Sequence, residues 1–167
     1  MKKQTVKKNT KINIIIGTAV TAVFVTALIL LINVLGAGQD TVSISNNDVV
    51  IDKSKITSTA TFIPYKANGT NMEIIAVKAP DGTIRTAFNT CQVCYDSGRG
   101  YYKQQGDELL CQNCGNRFKI SQVEKEKNGC NPVPVSEADK SDNGTIITIS
   151  KTVMEQNAAL FGNWKKG

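Results

Sequence analysis

Five cysteines are the residues of this 167-residue chain that could do metal or redox chemistry. Cys91 and Cys94 form one C-x-x-C pair, Cys111 and Cys114 form a second, and Cys130 follows in a Gly-Cys-Asn-Pro run. A two-residue gap lets two thiolates converge on one metal ion from a tight turn whose backbone N–H groups point at the sulfurs. Two such turns brought together would supply a shell of four sulfurs, so the spacing predicts a metal site.

The spacing does not determine which metal the cysteines bind. Two C-x-x-C pairs separated by this interval are typical of a zinc ribbon, whereas four thiolates suit an iron–sulfur cluster equally well. Disulfide or thiol-redox chemistry is the alternative, because cysteines outside the cytoplasm usually pair. An odd number of cysteines would leave one thiol over. We expect Cys130 to be a fifth ligand, an alternative ligand or a free thiol beside the site.

Residue types that the chain lacks exclude several classes of enzyme. There is no histidine, which excludes a Ser-His-Asp triad, a Cys-His pair and a histidine-based zinc hydrolase. The sequence also contains no recognisable acid–base pair, nucleophile–base pair or phosphate-binding loop. We therefore predict a carrier or accessory subunit and not a free-standing enzyme.

Residues 12–37 are apolar and uncharged, with lysines before them and Asp40 as the first charge after them. At about 1.5 Å per residue, a helix of this length would cross a hydrocarbon core of roughly 30 Å. The positive-inside rule then places residues 1–11 in the cytoplasm as a basic tail and the cysteines outside the cell membrane. A cleaved signal peptide is the alternative, although its apolar core is usually shorter.

The positive charge is concentrated in the same N-terminal tail. The chain has a net charge of +6, but five of its lysines lie within residues 1–11, and the remainder is close to neutral. A surface that binds the phosphates of a nucleic acid needs clustered cations on the folded domain. The sequence therefore predicts no nucleic-acid partner.

The rest of the chain is predicted to be mainly β, with residues 38–57 as a linker and residues 58–167 as an extracytoplasmic cysteine-rich domain. Asn-Gly and Asp-Gly pairs between β-branched runs predict antiparallel hairpins. A short helix is predicted at the C-terminal end, from residue 151 to about 161. The predicted strands are 59–65, 73–78, 83–89 and 144–149, with a further short strand near 49–51 inside the linker.

Around the cysteines the sequence resembles the membrane iron–sulfur proteins termed FtrD-like, from about Thr59 to Trp164. The resemblance rests on both C-x-x-C pairs and on these residues: Gly98, Tyr101, Gly106, Asn113, Gly115, Phe118 and the run Gly129-Cys130-Asn131-Pro132-x-Pro134. It implies a membrane-bound iron–sulfur protein associated with ferrous iron uptake, with an iron permease and other redox proteins as partners.

The order of the elements resembles a Rieske domain more distantly, with cysteines where a Rieske protein has histidines. This resemblance implies a [2Fe–2S] rather than a [4Fe–4S] cluster, and thiolate ligands alone would give a potential near about −400 mV. The leading hypothesis is thus a membrane-anchored electron carrier whose ligands are Cys91, Cys94, Cys111 and Cys114. A structural zinc-ribbon domain that binds a partner protein, and a thiol-redox or metallochaperone protein, are the alternatives.

Overall fold

The computed structural model describes residues 41–127 and 129–166. The predicted basic tail, residues 1–11, and the predicted transmembrane helix, residues 12–37, lie outside the described residues. Among the residues that are described, no helix has the length and apolar character needed to cross a membrane.

Antiparallel strands and one short helix make up the described domain, as the sequence predicted for its fold class. The elements are β1 (Val42–Ser45), β2 (Asp48–Asp52), β3 (Thr61–Ala67), β4 (Thr70–Lys78), β5 (Ile84–Cys91), β6 (Tyr102–Gln105), β7 (Glu108–Cys111), β8 (Arg117–Lys119), β9 (Pro132–Pro134), β10 (Ser141–Asp142), β11 (Ile146–Ile149) and α1 (Lys151–Gln156). They form three sheets, ordered β1-β2-β11-β10, β3-β4-β5-β9 and β6-β7-β8. A 3₁₀ turn, Ala158–Phe161, follows α1.

Turn chemistry defines the hairpin at the start of the central sheet. Asn68 and Gly69 have φ angles of +48° and +87°, the pair of positive values that a tight type I′ turn requires. The flanking strands β3 and β4 pair from Ala67–Thr70 to Thr61–Ala76 without a shift in register. The predicted hairpin is confirmed, because Asn and Gly tolerate this backbone conformation better than other residues.

The predicted linker, residues 38–57, carries more structure than its polar composition indicates. It contains β1 and β2, and β2 pairs with β11 from the far end of the chain. Val49 and Ile51 are fully buried there, whereas Val50 between them and the aspartates on either side are partly exposed. This alternation over only five residues is a weak sequence signal, and the partner strand lies about a hundred positions away in the chain.

The central sheet β3-β4-β5-β9 is covered on both faces. Ile74 and Phe88 point into one apolar core, which they share with the first sheet and α1. Ile75 and Ala87 point into a second core, which contains the small sheet β6-β7-β8 and three of the cysteines. Successive side chains of β4 alternate between these two cores. Because both faces are buried, the buried part of β4 is continuously apolar and does not alternate with polar residues. The second core is the layer that supports the cysteines.

Candidate metal centre

The cysteines lie in three loops that leave neighbouring strands. Cys91 is the last residue of β5, and the turn that follows it contains Cys94. Cys111 is the last residue of β7, and Cys114 lies in the turn that leads to β8. Cys130 stands two residues before β9, which pairs with β5 so that Pro132 lies opposite Cys91. Three loops therefore meet at one end of the central and small sheets.

All five sulfur atoms converge at this end of the domain. The Sγ atoms of Cys91, Cys94 and Cys130 lie within 4.8 Å of one another, and so do those of Cys94, Cys111 and Cys114. Cys130 Sγ lies 3.7 Å from Cys94 Sγ and 3.4 Å from Cys114 Sγ. The structure thus brings together every cysteine that the sequence singled out, and all five are free thiols.

The cysteines differ in depth. Cys91 and Cys111, the first members of the two pairs, are 0% and 1% exposed. Cys94 is 9% exposed, Cys130 is half-buried and Cys114 is exposed. The site therefore has a buried floor of two sulfurs and an outer layer of three, at which Cys114 meets the solvent.

Backbone N–H groups inside each C-x-x-C turn point at the sulfur of its first cysteine. Burial alone would raise the pKa of Cys91, but the Tyr102 hydroxyl and the N–H groups of Val93 and Cys94 lower it overall. The Cys94 N–H lies 3.3 Å from Cys91 Sγ. At Cys111 burial prevails over the corresponding N–H groups and raises the pKa to about 12. Such N–H groups stabilise thiolates. A bound cation would stabilise the Cys111 thiolate as well and so offset the effect of burial.

Side chains from the small sheet fix the position of the third loop. The carbonyl oxygen of Cys130 accepts hydrogen bonds from the Tyr102 hydroxyl and from Asn116 Nδ2, each at 2.9 Å. On the other side, the backbone N–H of Gln92 donates to the carbonyl of Asn131 at 3.0 Å. Cys130 is therefore held against both C-x-x-C turns by groups that are not themselves metal ligands.

Two further residues that support the site were not found from the sequence. Asn89 is 1% exposed, accepts a hydrogen bond from the backbone N–H of Tyr102 at 2.7 Å and donates to Glu73 at the same distance. Asn89 thereby joins β5 to β6, two strands that belong to different sheets. Gly100 lies against the Cys94 carbonyl so closely that a Cβ would be 2.2 Å from that oxygen. Only the density of glycines in this loop hinted at the close approach.

The Tyr102→Phe variant tests the support of the third loop. We expect it to lose about 1 kcal/mol of unfolding free energy, because Asn116 still satisfies the Cys130 carbonyl after the hydroxyl is removed. Urea unfolding followed by fluorescence of Trp164, the single tryptophan, measures the change. Tyr95→Phe, at a ring 39% exposed, is the control and should change stability by less than about 0.5 kcal/mol. Equal stabilities for the two variants would contradict the role given to Tyr102.

The donor set fits a thiophilic metal centre. Within the described part of the chain, the groups of side chains close enough to hold a metal ion consist of cysteines alone. Soft thiolate ligands select zinc, copper(I) or iron–sulfur clusters over magnesium or calcium. The cysteine cluster is therefore able to bind metal.

Comparison with known proteins identifies the family. No curated protein and no solved structure matches the chain. A family model described as membrane iron–sulfur containing protein, FtrD-like, matches residues 56–161, which include all five cysteines and more than half of the chain. The chain belongs to the FtrD-like family of membrane iron–sulfur proteins.

Proposed function

We propose that this protein is an iron–sulfur electron carrier held at the outer face of the cell membrane by residues 12–37. The observation that carries the proposal is the convergence of five thiols from three loops, in a chain of a membrane iron–sulfur family. The absence of histidine and of any other catalytic constellation in the sequence supports a carrier over an enzyme. The proposed cluster ligands are Cys91, Cys94, Cys111 and Cys114.

Each part of the cysteine site has a role in this proposal. When bound, an iron–sulfur cluster supplies reversible one-electron transfer. Cys91 and Cys111 would hold the cluster at the buried side of the site, where the Tyr102 ring excludes water. Cys114 is exposed, so a redox partner can approach the site from that side. Cys130 adds a fifth sulfur to the outer part of the site.

The proposed partners are proteins of ferrous iron uptake. The membrane iron–sulfur family supports a place beside an iron permease and other extracytoplasmic redox proteins, to which the carrier would pass single electrons. Four thiolate ligands favour a low potential, near about −400 mV, whereas two histidine ligands raise it to between about −150 and +300 mV. A [2Fe–2S] cluster with this low potential is the form that we propose.

A structural zinc site is the second candidate, and the close grouping of the sulfur atoms favours it. Four sulfurs at about 2.3 Å from a tetrahedral zinc ion lie about 3.8 Å from one another. Sulfurs from both pairs, those of Cys94, Cys111 and Cys114, lie within 4.8 Å of one another. Cys130 Sγ also lies 3.7 Å from Cys94 Sγ and 3.4 Å from Cys114 Sγ, so the whole group is compact enough for one tetrahedral ion. In that case the cysteines would only stabilise a domain that binds a partner protein.

Metal analysis of the full-length protein distinguishes the two candidates. The protein is purified anaerobically in detergent without added metal, and its absorption spectrum, iron, acid-labile sulfide and zinc are measured. We expect a brown protein with stoichiometric iron and sulfide that dithionite bleaches. A colourless protein with one zinc ion would instead support the scaffold, and a metal-free protein with paired disulfides would support thiol chemistry.

A further inference from the structure

A buried ion pair lies behind the loop that carries Cys130. Lys140 Nζ lies 2.7 Å from Glu124 Oε1, and the side chains are only 2% and 7% exposed. Both charges also contact Thr86 of β5: its backbone N–H donates to Glu124 Oε2 at 2.9 Å, and Lys140 Nζ donates to its hydroxyl at 3.1 Å. We call these three residues, Glu124, Lys140 and Thr86, the ion-pair clamp.

The clamp joins the two ends of the segment that contains Cys130 to the strand that ends at Cys91. Glu124 precedes Cys130 and Lys140 follows it, and both converge on Thr86. The Val135 carbonyl beside Thr86 accepts a hydrogen bond from the Thr86 hydroxyl at 3.2 Å, and the Thr86 N–H is satisfied by the Glu124 carboxylate instead. The ends of the segment are thus fixed to the same strand as the first cysteine of the site.

Two features indicate that the clamp fixes the position of the segment that contains Cys130 more than it stabilises the fold. Glu124 adopts a φ of +71°, a left-handed conformation that residues other than glycine seldom occupy. A buried ion pair is also often no more stable than apolar residues of similar volume, because both charges lose their hydration. What apolar residues cannot supply is the set of directed hydrogen bonds that fixes one arrangement of the segment.

We propose that the Glu124–Lys140 pair is a positioning device that holds Cys130 against the two C-x-x-C turns. It acts through the backbone and does not contact the sulfur atoms. Its purpose rests on the proposed metal-binding role of the cysteines, but its effect on the position of Cys130 does not require a bound metal. Glu124 and Lys140 lie outside the cysteine motifs, and no part of the motif pattern points to them.

Thiol bridging in the reduced, metal-free, full-length protein tests this proposal. A short bifunctional thiol reagent such as dibromobimane joins sulfurs that lie close together, and tryptic peptides identify the bridged loops. Cys130 lies on peptide 128–140, which becomes peptide 128–151 once Lys140 is replaced, whereas the two C-x-x-C pairs lie on peptides 86–99 and 104–117. Bridged peptides therefore report directly on whether Cys130 remains beside the other cysteines.

The informative variants are Lys140→Met and the double variant Glu124→Leu with Lys140→Met, which replaces the charges by apolar side chains. We expect bridging of Cys130 to fall about tenfold in both, because a reaction between two positioned groups slows steeply when one of them is displaced. Modification of Cys130 by a monofunctional reagent should not fall, and Trp164 fluorescence should still report a folded domain. Lys53→Met, at the surface ion pair with Asp142, is the matched control and should leave bridging unchanged.

Unchanged bridging in the folded double variant would overturn the proposal, because apolar packing would then suffice to place Cys130. Unfolding of both variants would also overturn it, since the pair would then be a requirement of the whole fold. Iron content is not part of this measurement. A colourless protein would therefore contradict the proposed function and leave the bridging result intact.

Discussion

Replacing Cys111 by serine should abolish iron and sulfide binding while leaving the metal-free domain folded. Cys111 is 1% exposed and lies on the floor of the site, so a solvent molecule cannot readily take the place of its sulfur. Loss of a metal ligand should exceed the roughly 10–100-fold that loss of an outer partner costs in affinity. Serine is close to cysteine in size, so we expect the metal-free protein to lose only about 1–2 kcal/mol of unfolding free energy.

Cys130→Ser is the matched control for this prediction. It keeps both C-x-x-C pairs, so the proposed four-ligand centre predicts that iron and sulfide remain bound. Iron and sulfide are measured on both full-length variants, and unfolding of the metal-free forms is followed by Trp164 fluorescence. Equal loss of iron in the two variants would contradict a four-ligand centre and make Cys130 an obligatory ligand. Retention of iron by Cys111→Ser would contradict the assignment of Cys111.

Replacing Gly100 by alanine should destabilise the domain by about 3 kcal/mol, near the upper end of what overpacking costs. The added Cβ would lie 2.2 Å from the Cys94 carbonyl oxygen and 2.5 Å from its carbon. The backbone cannot retreat easily, because the Gly100 carbonyl accepts a hydrogen bond from the Cys91 N–H at 2.7 Å. Relief of the clash would displace the first C-x-x-C turn, so metal affinity should fall as well.

Gly106→Ala provides the comparison for Gly100→Ala. Gly106 has a φ of +62°, but a Cβ there would meet no atom within 4 Å. Its substitution should therefore cost only the strain of a left-handed backbone, about 1–2 kcal/mol, and leave metal binding unchanged. Urea unfolding and a zinc titration of the metal-free proteins measure both effects. If the two variants prove equally stable and equally able to bind zinc, the close approach at Gly100 has no consequence.

Local sequence is sufficient to predict the elements that depend on local chemistry. The Asn68–Gly69 hairpin, the strands that flank it and the short helix after residue 150 follow from turn residues and from the periodicity of apolar side chains. The cysteine spacing likewise determined which thiols form pairs, because a two-residue gap brings two sulfurs to one turn. These features need few contacts with distant parts of the chain.

The differences among the five cysteines arise from packing between distant parts of the chain. The sequence treats the two members of each pair alike, but packing buries Cys91 and Cys111 and leaves Cys114 exposed. It also decided that Cys130 joins the pairs, through contacts of its loop with Tyr102 and Asn116. The pairing of β2 with β11 and the contacts of Asn89, Gly100 and the ion-pair clamp depend on partners far away in sequence. Contacts between residues that are distant in sequence leave no local pattern, so residue spacing and periodicity cannot predict them.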